Sequence, residues 1–169
     1  GEDDVSGPGG ESPQVHARSY GLDDCPRLEV DGHGRLVTVC GSAAHPVLRV
    51  ADAESLRPLA EKELPARGAG CPAGFDLDPA GRVLVAARDR LLVVGTADAE
   101  DDPDLTTEAT LELGLGTDDC VVGVAAAGDR SWFVSRDGVA GLVTGSRVAT
   151  VELDDTVERP LAADAAGAY

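Results

Sequence analysis

The segment from Cys71 to Val94, CPAGFDLDPAGRVLVAARDRLLVV, limits the possible folds most strongly, because turn residues break it into three short apolar runs. The runs are Phe75–Leu77, Val83–Ala87 and Leu91–Val94. Runs of this length, rich in Val and Leu and bounded by Asp, Pro, Gly and charged residues, are typical of antiparallel strands joined by hairpins. The segment therefore predicts a small antiparallel sheet.

The same pattern occurs on both sides of this segment, from Cys25 to Cys40 and from Cys120 to Val143. The turn glycines Gly34, Gly81 and Gly128 recur at an interval of 47 residues. A period in the forties indicates a repeat protein in which each unit buries its faces against its neighbours. We expect an all-β fold with four-stranded repeats at about 20–64, 70–113 and 119–153, and an incomplete fourth repeat at 158–169.

Residues 1–19 differ from the rest of the chain, since the sequence GEDDVSGPGGESPQVHAR is rich in Gly, Pro, Ser and acids and has no periodicity. This composition predicts a disordered leader or tether. It resembles the spacer that follows the lipidated cysteine of a bacterial lipoprotein. The chain contains no Met, so we expect that the protein was processed and that its export signal is no longer present.

The formal charge of −17 excludes two classes of partner. Nucleic acid and anionic membrane surfaces would both be repelled by this excess of carboxylates. Two interpretations of the charge stay open, which are a solvated coat that keeps the protein soluble and an attraction of cations or of a cationic partner. No run reaches the roughly 20 apolar residues of a transmembrane helix.

Four cysteines in a small, acidic, strand-rich chain predict disulfides and an oxidising compartment, and so a secreted or surface-tethered protein. Pairing Val30 with Arg35 across the first hairpin turn places Cys25 opposite Cys40, which favours a disulfide there. The remaining pair, Cys71 and Cys120, would connect two repeats. The alternative is a soft-metal site of Zn or Cu(I), because Cys25, Cys71 and Cys120 occupy nearly equivalent repeat positions.

Four short strands per repeat and inner hairpin turns of the form D-x-x-G-R, at Asp31–Arg35 and Asp78–Arg82, resemble an extracellular bacterial β-propeller of the WD40-like, YVTN or quinoprotein-like type. The resemblance covers residues 20 to 169. It implies blades stacked around a central channel, with ligands bound at one rim. Three blades and the start of a fourth do not close a ring of four to eight blades, so we expect a second polypeptide, such as the remainder of the same precursor, to complete the propeller.

A repeated pentapeptide of the form G-x-D-D-C, at Gly21–Cys25 and Gly116–Cys120, would lie on that rim. Its carboxylates, Asp23, Asp24, Asp118 and Asp119, are candidate ligands of Ca²⁺, which prefers several hard oxygen atoms. The alternative is that these Asp residues form turns by hydrogen bonding their own backbone. Trp132 and Phe133 are expected to pack between blades, with stacking on a sugar as the alternative.

The functional hypothesis is a surface-displayed binding module for a protein, a glycan or a metal. The alternative is a propeller-type enzyme with its site at the channel rim, either a Ca²⁺-dependent lactonase or hydrolase, or a quinone-dependent dehydrogenase. A purely structural scaffold is the third possibility. The fold does not separate these classes, because propellers serve all of them.

Overall fold

The computed structural model describes residue 25, residues 27–96 and 104–153, and two short strands at 163–164 and 167–168. The secondary structure within these ranges consists of β-strands without helices. None of the described residues forms a helix that is long and apolar enough to cross a membrane. The leader and the acidic segment 97–103 lie outside the described residues.

Twelve of the strands form three four-stranded sheets, each antiparallel and ordered as in the chain. The first sheet contains β1 (Leu28–Val30), β2 (Arg35–Cys40), β3 (Val47–Asp52) and β4 (Pro58–Glu63). The second contains β5 (Phe75–Leu77), β6 (Val83–Ala87), β7 (Arg90–Thr96) and β8 (Leu105–Glu112). The third contains β9 (Val121–Ala127), β10 (Arg130–Ser135), β11 (Val139–Thr144) and β12 (Arg147–Glu152). A hairpin of β13 (Ala163–Asp164) and β14 (Gly167–Ala168) follows.

The prediction of an all-β fold with three four-stranded repeats is therefore confirmed. Predicted and observed strands agree closely. The outer strand β8 has one solvent-exposed face, on which Glu108, Thr110 and Glu112 lie. Strands form here because β-branched and leucine side chains pack well on a pleated surface, and the turns between them contain glycine at positive φ, such as Gly34 and Gly81.

The second sheet is the centre of the molecule because both of its faces are covered. Val83, Val85 and Ala87 alternate along β6 with Leu84 and Ala86. The first set packs in a core with residues of the first sheet, including Val37, Leu48 and Val50. The second set packs in a core with residues of the third sheet, including Val121, Val124 and Phe133. A strand with two buried faces reads as a continuous apolar run, which explains the sequence VLVAA.

The first strands of successive sheets lie side by side. β9 contacts β5 and β6 of the second sheet, and β13 contacts β9 in turn. Asp76 on β5 reinforces the first of these contacts, since its Oδ2 accepts a hydrogen bond of 2.8 Å from the backbone N–H of Ala126. The outer strands β4 and β8 also contact each other. The three sheets are thus stacked face to face in chain order.

Each sheet has two ends that differ in the loops they carry. The hairpin end carries the turns that join the first strand to the second and the third strand to the fourth. The connection end carries the turns that join the second strand to the third, together with the segments that lead from one sheet to the next, 64–74 and 113–120.

The expected register of the first hairpin is wrong by one residue. Val30 pairs with Leu36, not with Arg35. The reason is a hydrogen bond within the loop. The N–H of Asp31 donates to the carbonyl of Arg35 at 2.9 Å, so Asp31 and Arg35 face each other and the strand pairing starts with the next residue on each side. The Asp31 carboxylate also accepts the N–H groups of His33 and Arg35. An Asp that hydrogen bonds its own backbone thus sets the loop length.

Candidate functional site

Both disulfides lie at the connection end, where the sequence places the ligand rim. Cys25 is bonded to Cys40 within the first sheet, and Cys71 is bonded to Cys120 between the segments that precede the second and third sheets. These are the two pairs expected from the sequence. All four cysteines are consumed in this way, so the soft-metal alternative has no thiolates to use.

The structure describes two of the four aspartates that were predicted to form the acidic rim. Asp23 and Asp24 lie outside the described residues, while Asp118 and Asp119 lie in the connection between β8 and β9. Asp119 is 2% exposed, and its Oδ1 accepts hydrogen bonds from the N–H groups of Cys120 at 2.8 Å and Asp137 at 3.0 Å. Asp119 therefore has the turn-forming role, because backbone donors already occupy its carboxylate.

Two arginines hold the same loop from outside. Arg88 donates to the carbonyl of Thr117 at 2.6 Å, and Arg136 donates to the carbonyl of Asp118. Arg88 belongs to the β6–β7 turn and Arg136 to the β10–β11 turn, so the loop is fixed to both the second and the third sheet. Within the part of the chain that the structure describes, no group of three or more His, Cys, Asp or Glu side chains is placed to hold a metal ion.

A third arginine at the connection end is buried. Arg67 is 7% exposed, its Nη2 donates to the carbonyl of Gly41 over 3.4 Å, and its Nε has no hydrogen-bond partner in the structure. Burial lowers the pKa of the Arg67 guanidinium, because removal from water disfavours the charged form. The N–H of Arg67 donates to the carbonyl of Ala43 at 2.8 Å, which anchors the segment against the β2–β3 loop.

The two D-x-x-G-R turns at the hairpin end are built in the same way. Asp31 accepts from the N–H of His33 and from the N–H and Nε of Arg35. Asp78 accepts from the N–H of Ala80 and from the N–H and Nε of Arg82. The ion-pair distances are 2.7 Å in the first turn and 2.6 Å in the second. The motif that suggested a repeat is thus a repeated hydrogen-bond arrangement.

The surroundings of the two arginines differ. The side chain of Arg35 is 5% exposed, and its Nη2 crosses to the second sheet and donates to Oγ1 of Thr96 at 3.1 Å. The side chain of Arg82 is 47% exposed, and its Nη1 lies 3.7 Å from a carboxylate oxygen of Glu108 on its own sheet. Arg35 closes the first interface at the hairpin end, whereas Arg82 leaves the second interface open there.

The opening is a cleft of about 380 Å³ between the second and third sheets. Its floor is apolar and contains Leu84, Leu91, Val93, Leu111 and Val143. Its mouth is polar and contains Asp78, Arg82, Glu108, Asp129, Arg130, Ser131 and Ser146. An apolar floor with a few polar groups around it is the usual construction of a small-molecule site. The sequence analysis did not predict this cleft. A signal that bears on it is Arg82, the arginine of the second D-x-x-G-R turn, whose ion-pair partners among the described residues are on its own sheet and not on the third.

The outward face of the third sheet is the other apolar surface. It forms a shallow depression of about 390 Å³ lined by Trp132, Ala140, Leu142, Ala149 and Val151, among others. Phe133 packs between the second and third sheets, as expected. Trp132 points the other way, because neighbouring residues of a strand face opposite sides, and its side chain is only partly buried.

Comparison with known proteins adds no family assignment: neither a scan against protein-family models nor a search of curated proteins returns a match to this chain.

Proposed function

We propose that this chain is part of an exported β-propeller that acts as a binding and interaction module, and that a further sheet from another polypeptide covers the outward face of its third sheet. The observation that carries the proposal is the contrast between the second sheet, whose strand β6 is buried on both faces, and the third sheet, whose outward face carries exposed side chains on β12 among the described residues.

Exposed apolar side chains lie on both end sheets. Leu28 and Val30 on the first sheet are 49% and 60% exposed, and Val151 and Leu153 at the edge of the third sheet are 59% and 43% exposed. The strand pairing directs these side chains away from the second sheet, since Val37 and Phe133, on the opposite faces, pack against it. Clustered exposed apolar residues are typical of surfaces that bind another protein.

The final hairpin supports a sheet as the occupant of the third-sheet face. β13 pairs with β14 as β5 pairs with β6, and β13 contacts β9 as β9 contacts β5. The arrangement that joins the second and third sheets is therefore begun again on the far side of the third. A four-stranded sheet stacked in the same way would cover Trp132, Leu142 and Val151, which is the proposed propeller contact.

Two disulfides support export to an oxidising compartment, because thiols are kept reduced in the cytosol. Binding is preferred over catalysis because Asp119, one of the rim carboxylates, is used by backbone donors. The exposed carboxylate of Asp118 lies in no metal-binding cluster of described residues. The proposed binding module could also bind a small ligand or a glycan at one rim of the propeller.

Site-specific photo-crosslinking in the producing cells tests the proposal. A photoreactive phenylalanine analogue at Val151 should yield an adduct larger than 17.2 kDa, with peptides from a chain that has the alternating apolar pattern of strands. The matched control places the analogue at Thr110, an exposed residue of the outer strand β8. Equal labelling from both positions, or no adduct from Val151, would contradict the proposal.

A further inference from the structure

We propose that the cleft between the second and third sheets is a binding site for a small amphiphilic amine, meaning a ligand with an apolar body and a single ammonium group. The cleft lies between two sheets of this chain, so the inference does not depend on the closure of a propeller.

The floor selects an apolar body. Leu84, Leu91 and Val93 come from β6 and β7, and Leu111 and Val143 come from the outer part of the two sheets. A volume of about 380 Å³ lies within the range of small-molecule pockets. Transfer of an aromatic or branched aliphatic group from water to this floor is favourable by roughly 25 cal/mol for each Å² removed from water.

The mouth selects a cation. The carboxylates of Asp78, Glu108 and Asp129 outnumber the guanidinium groups at the mouth, those of Arg82 and Arg130. Arg82 lies 2.6 Å from the carboxylate of Asp78 and 3.7 Å from that of Glu108. Neither Asp129 nor Arg130 makes a side-chain hydrogen bond or ion pair with a described residue. The chain as a whole carries a formal charge of −17. The resulting negative potential favours an ammonium group over a carboxylate.

Glu108 is held in position by the backbone beneath it. Its carboxylate lies over Gly95 of the neighbouring strand, where any side chain would overlap it. Gly95 thus allows the Glu108 side chain to lie flat on the sheet beside Arg82. Ser131 and Ser146 supply hydroxyl groups at the same mouth, and these can accept hydrogen bonds from an ammonium N–H.

The opposite end of this interface is fixed, which gives the cleft a defined shape. The Cys71–Cys120 disulfide, together with Arg88 and Arg136, joins the second and third sheets at the connection end. The sheets are therefore clamped at one end and separated at the other. A site of this kind is largely formed before the ligand arrives, which reduces the entropy lost on binding.

The test is an NMR titration of the full chain with three probes of matched shape: 2-phenylethylamine, its neutral analogue 2-phenylethanol and the anion 3-phenylpropionate. We expect saturable shifts for 2-phenylethylamine at the amides of Ala109, Ser131 and Gly145, with a dissociation constant on the order of 1 mM. The alcohol should bind more weakly and the anion most weakly. Binding should also weaken with added salt.

Three variants of residues at the mouth and one control variant locate the site. Glu108→Gln and Asp129→Asn should each weaken binding of 2-phenylethylamine about two- to fivefold, the value of one exposed ion pair. Glu112→Gln is the control, because it removes the same charge from the same strand at the connection end, where Glu112 pairs with Arg90 at 2.9 Å; it should change binding less than about twofold. Ser131→Leu should block the cleft.

Circular dichroism and thermal unfolding establish that each variant is folded. Stronger binding of 3-phenylpropionate than of 2-phenylethylamine would overturn the proposal. So would shifts located away from the cleft, no saturable binding of the amine by the folded wild type, or an equal loss in Glu108→Gln and Glu112→Gln.

Discussion

The interface between the first and second sheets and the interface between the second and third sheets are assembled from the same kind of strands, yet they differ at the hairpin end. Polar contacts that include Arg35 close the first at the hairpin end. The disulfide Cys71–Cys120 closes the second at the connection end, and a cleft of about 380 Å³ opens at the hairpin end.

The two interfaces differ at the hairpin end because Arg35 and Arg82 have different hydrogen-bond and ion-pair partners. Arg35 finds Oγ1 of Thr96, which itself donates to the carbonyl of Gly81, so a chain of hydrogen bonds crosses the first interface. Arg27 adds a second crossing at the inner edge, since it donates to the carbonyl of Phe75 at 2.7 Å and lies 5.1 Å from the centre of that ring. Among the described residues, the ion-pair partners of Arg82 are two acids of its own sheet, Asp78 and Glu108.

This contrast shows that a repeated local motif sets a local geometry and that the neighbouring sheet decides its role. The same Asp–Arg pair is an interior bridge in one sheet and the edge of a cleft in the next. Removing one partner of a buried ion pair costs more stability than removing one partner of an exposed pair, because it leaves the other charge buried and uncompensated. The two interfaces should therefore respond differently to matched changes.

The largest expected effect is on the disulfides. Cys71→Ala with Cys120→Ala should lower the free energy of unfolding by about 4 kcal/mol, because the bond closes a long loop with a sequence separation of 49 residues. Cys25→Ala with Cys40→Ala, with a separation of 15, should cost about 3 kcal/mol.

Urea unfolding measures both effects. Hydrogen exchange should then show faster exchange in β9–β12 of the first double variant, while the interface of the first and second sheets stays protected. An equal or larger loss in Cys25→Ala with Cys40→Ala would show that the second interface does not depend on its clamp.

The two D-x-x-G-R turns give the next effect. Asp31→Asn should destabilise the protein by about 3 kcal/mol, because it leaves the buried guanidinium of Arg35 without its counter-charge. Asp78→Asn removes the same hydrogen-bonded carboxylate beside an arginine that is 47% exposed, and should cost about 1 kcal/mol or less. Chemical denaturation of the two single variants decides the point. Similar losses would mean that the surroundings of the arginine do not matter.

A third effect concerns the fixed part of the second interface. Gly141→Ala should cost about 2 kcal/mol, since a methyl group would overlap the ring of Phe133, which lies across Gly141 on the neighbouring strand. Gly116→Ala is the control and should change stability little, because a methyl group there would meet no atom within 4 Å. Thermal unfolding of both variants measures the difference, and an unchanged midpoint for Gly141→Ala would contradict the observed packing.

The smallest effect is a pH dependence at Asp31. Burial acts to raise its pKa, but hydrogen bonds from Arg35 and His33 outweigh burial, so its pKa lies below the ordinary 3.8. The folded state therefore gains stability from Asp31 above that pH and loses it as the pH falls through the lowered pKa. The stability gap between the wild type and Asp31→Asn should narrow below about pH 4. Urea midpoints between acid and neutral pH test this, and a constant gap would contradict it.

The strands were predictable from the sequence because they depend on local patterns. The interval of 47 residues between turn glycines and the short apolar runs define the three sheets, and the two-sided burial of β6 follows from VLVAA. The register of the first hairpin was not predictable in this way. The register depends on the hydrogen bond from the N–H of Asp31 to the carbonyl of Arg35. The pattern of apolar residues in the sequence does not reveal this hydrogen bond.

The candidate sites were less predictable, because they depend on how sheets pack together. The pentapeptide at Gly116–Cys120 suggested a cation site, whereas Asp119 accepts two backbone N–H groups. The cleft arises where Arg82 lacks an acceptor on the third sheet, which is a property of two distant segments. The alternation of apolar and polar residues along a strand identifies which side chains face the adjacent sheet. It does not show whether the adjacent sheet packs closely against them or leaves a cleft.

Native mass spectrometry of the protein, isolated from its source with its partners, tests the central claim most directly. That claim is that another polypeptide covers the outward face of the third sheet, with Trp132, Leu142 and Val151 at the contact. We expect a particle heavier than the 17.2 kDa chain, which Val151→Lys releases as the free chain and Thr110→Lys leaves intact. A folded, monodisperse particle of 17.2 kDa from the wild type would contradict the claim.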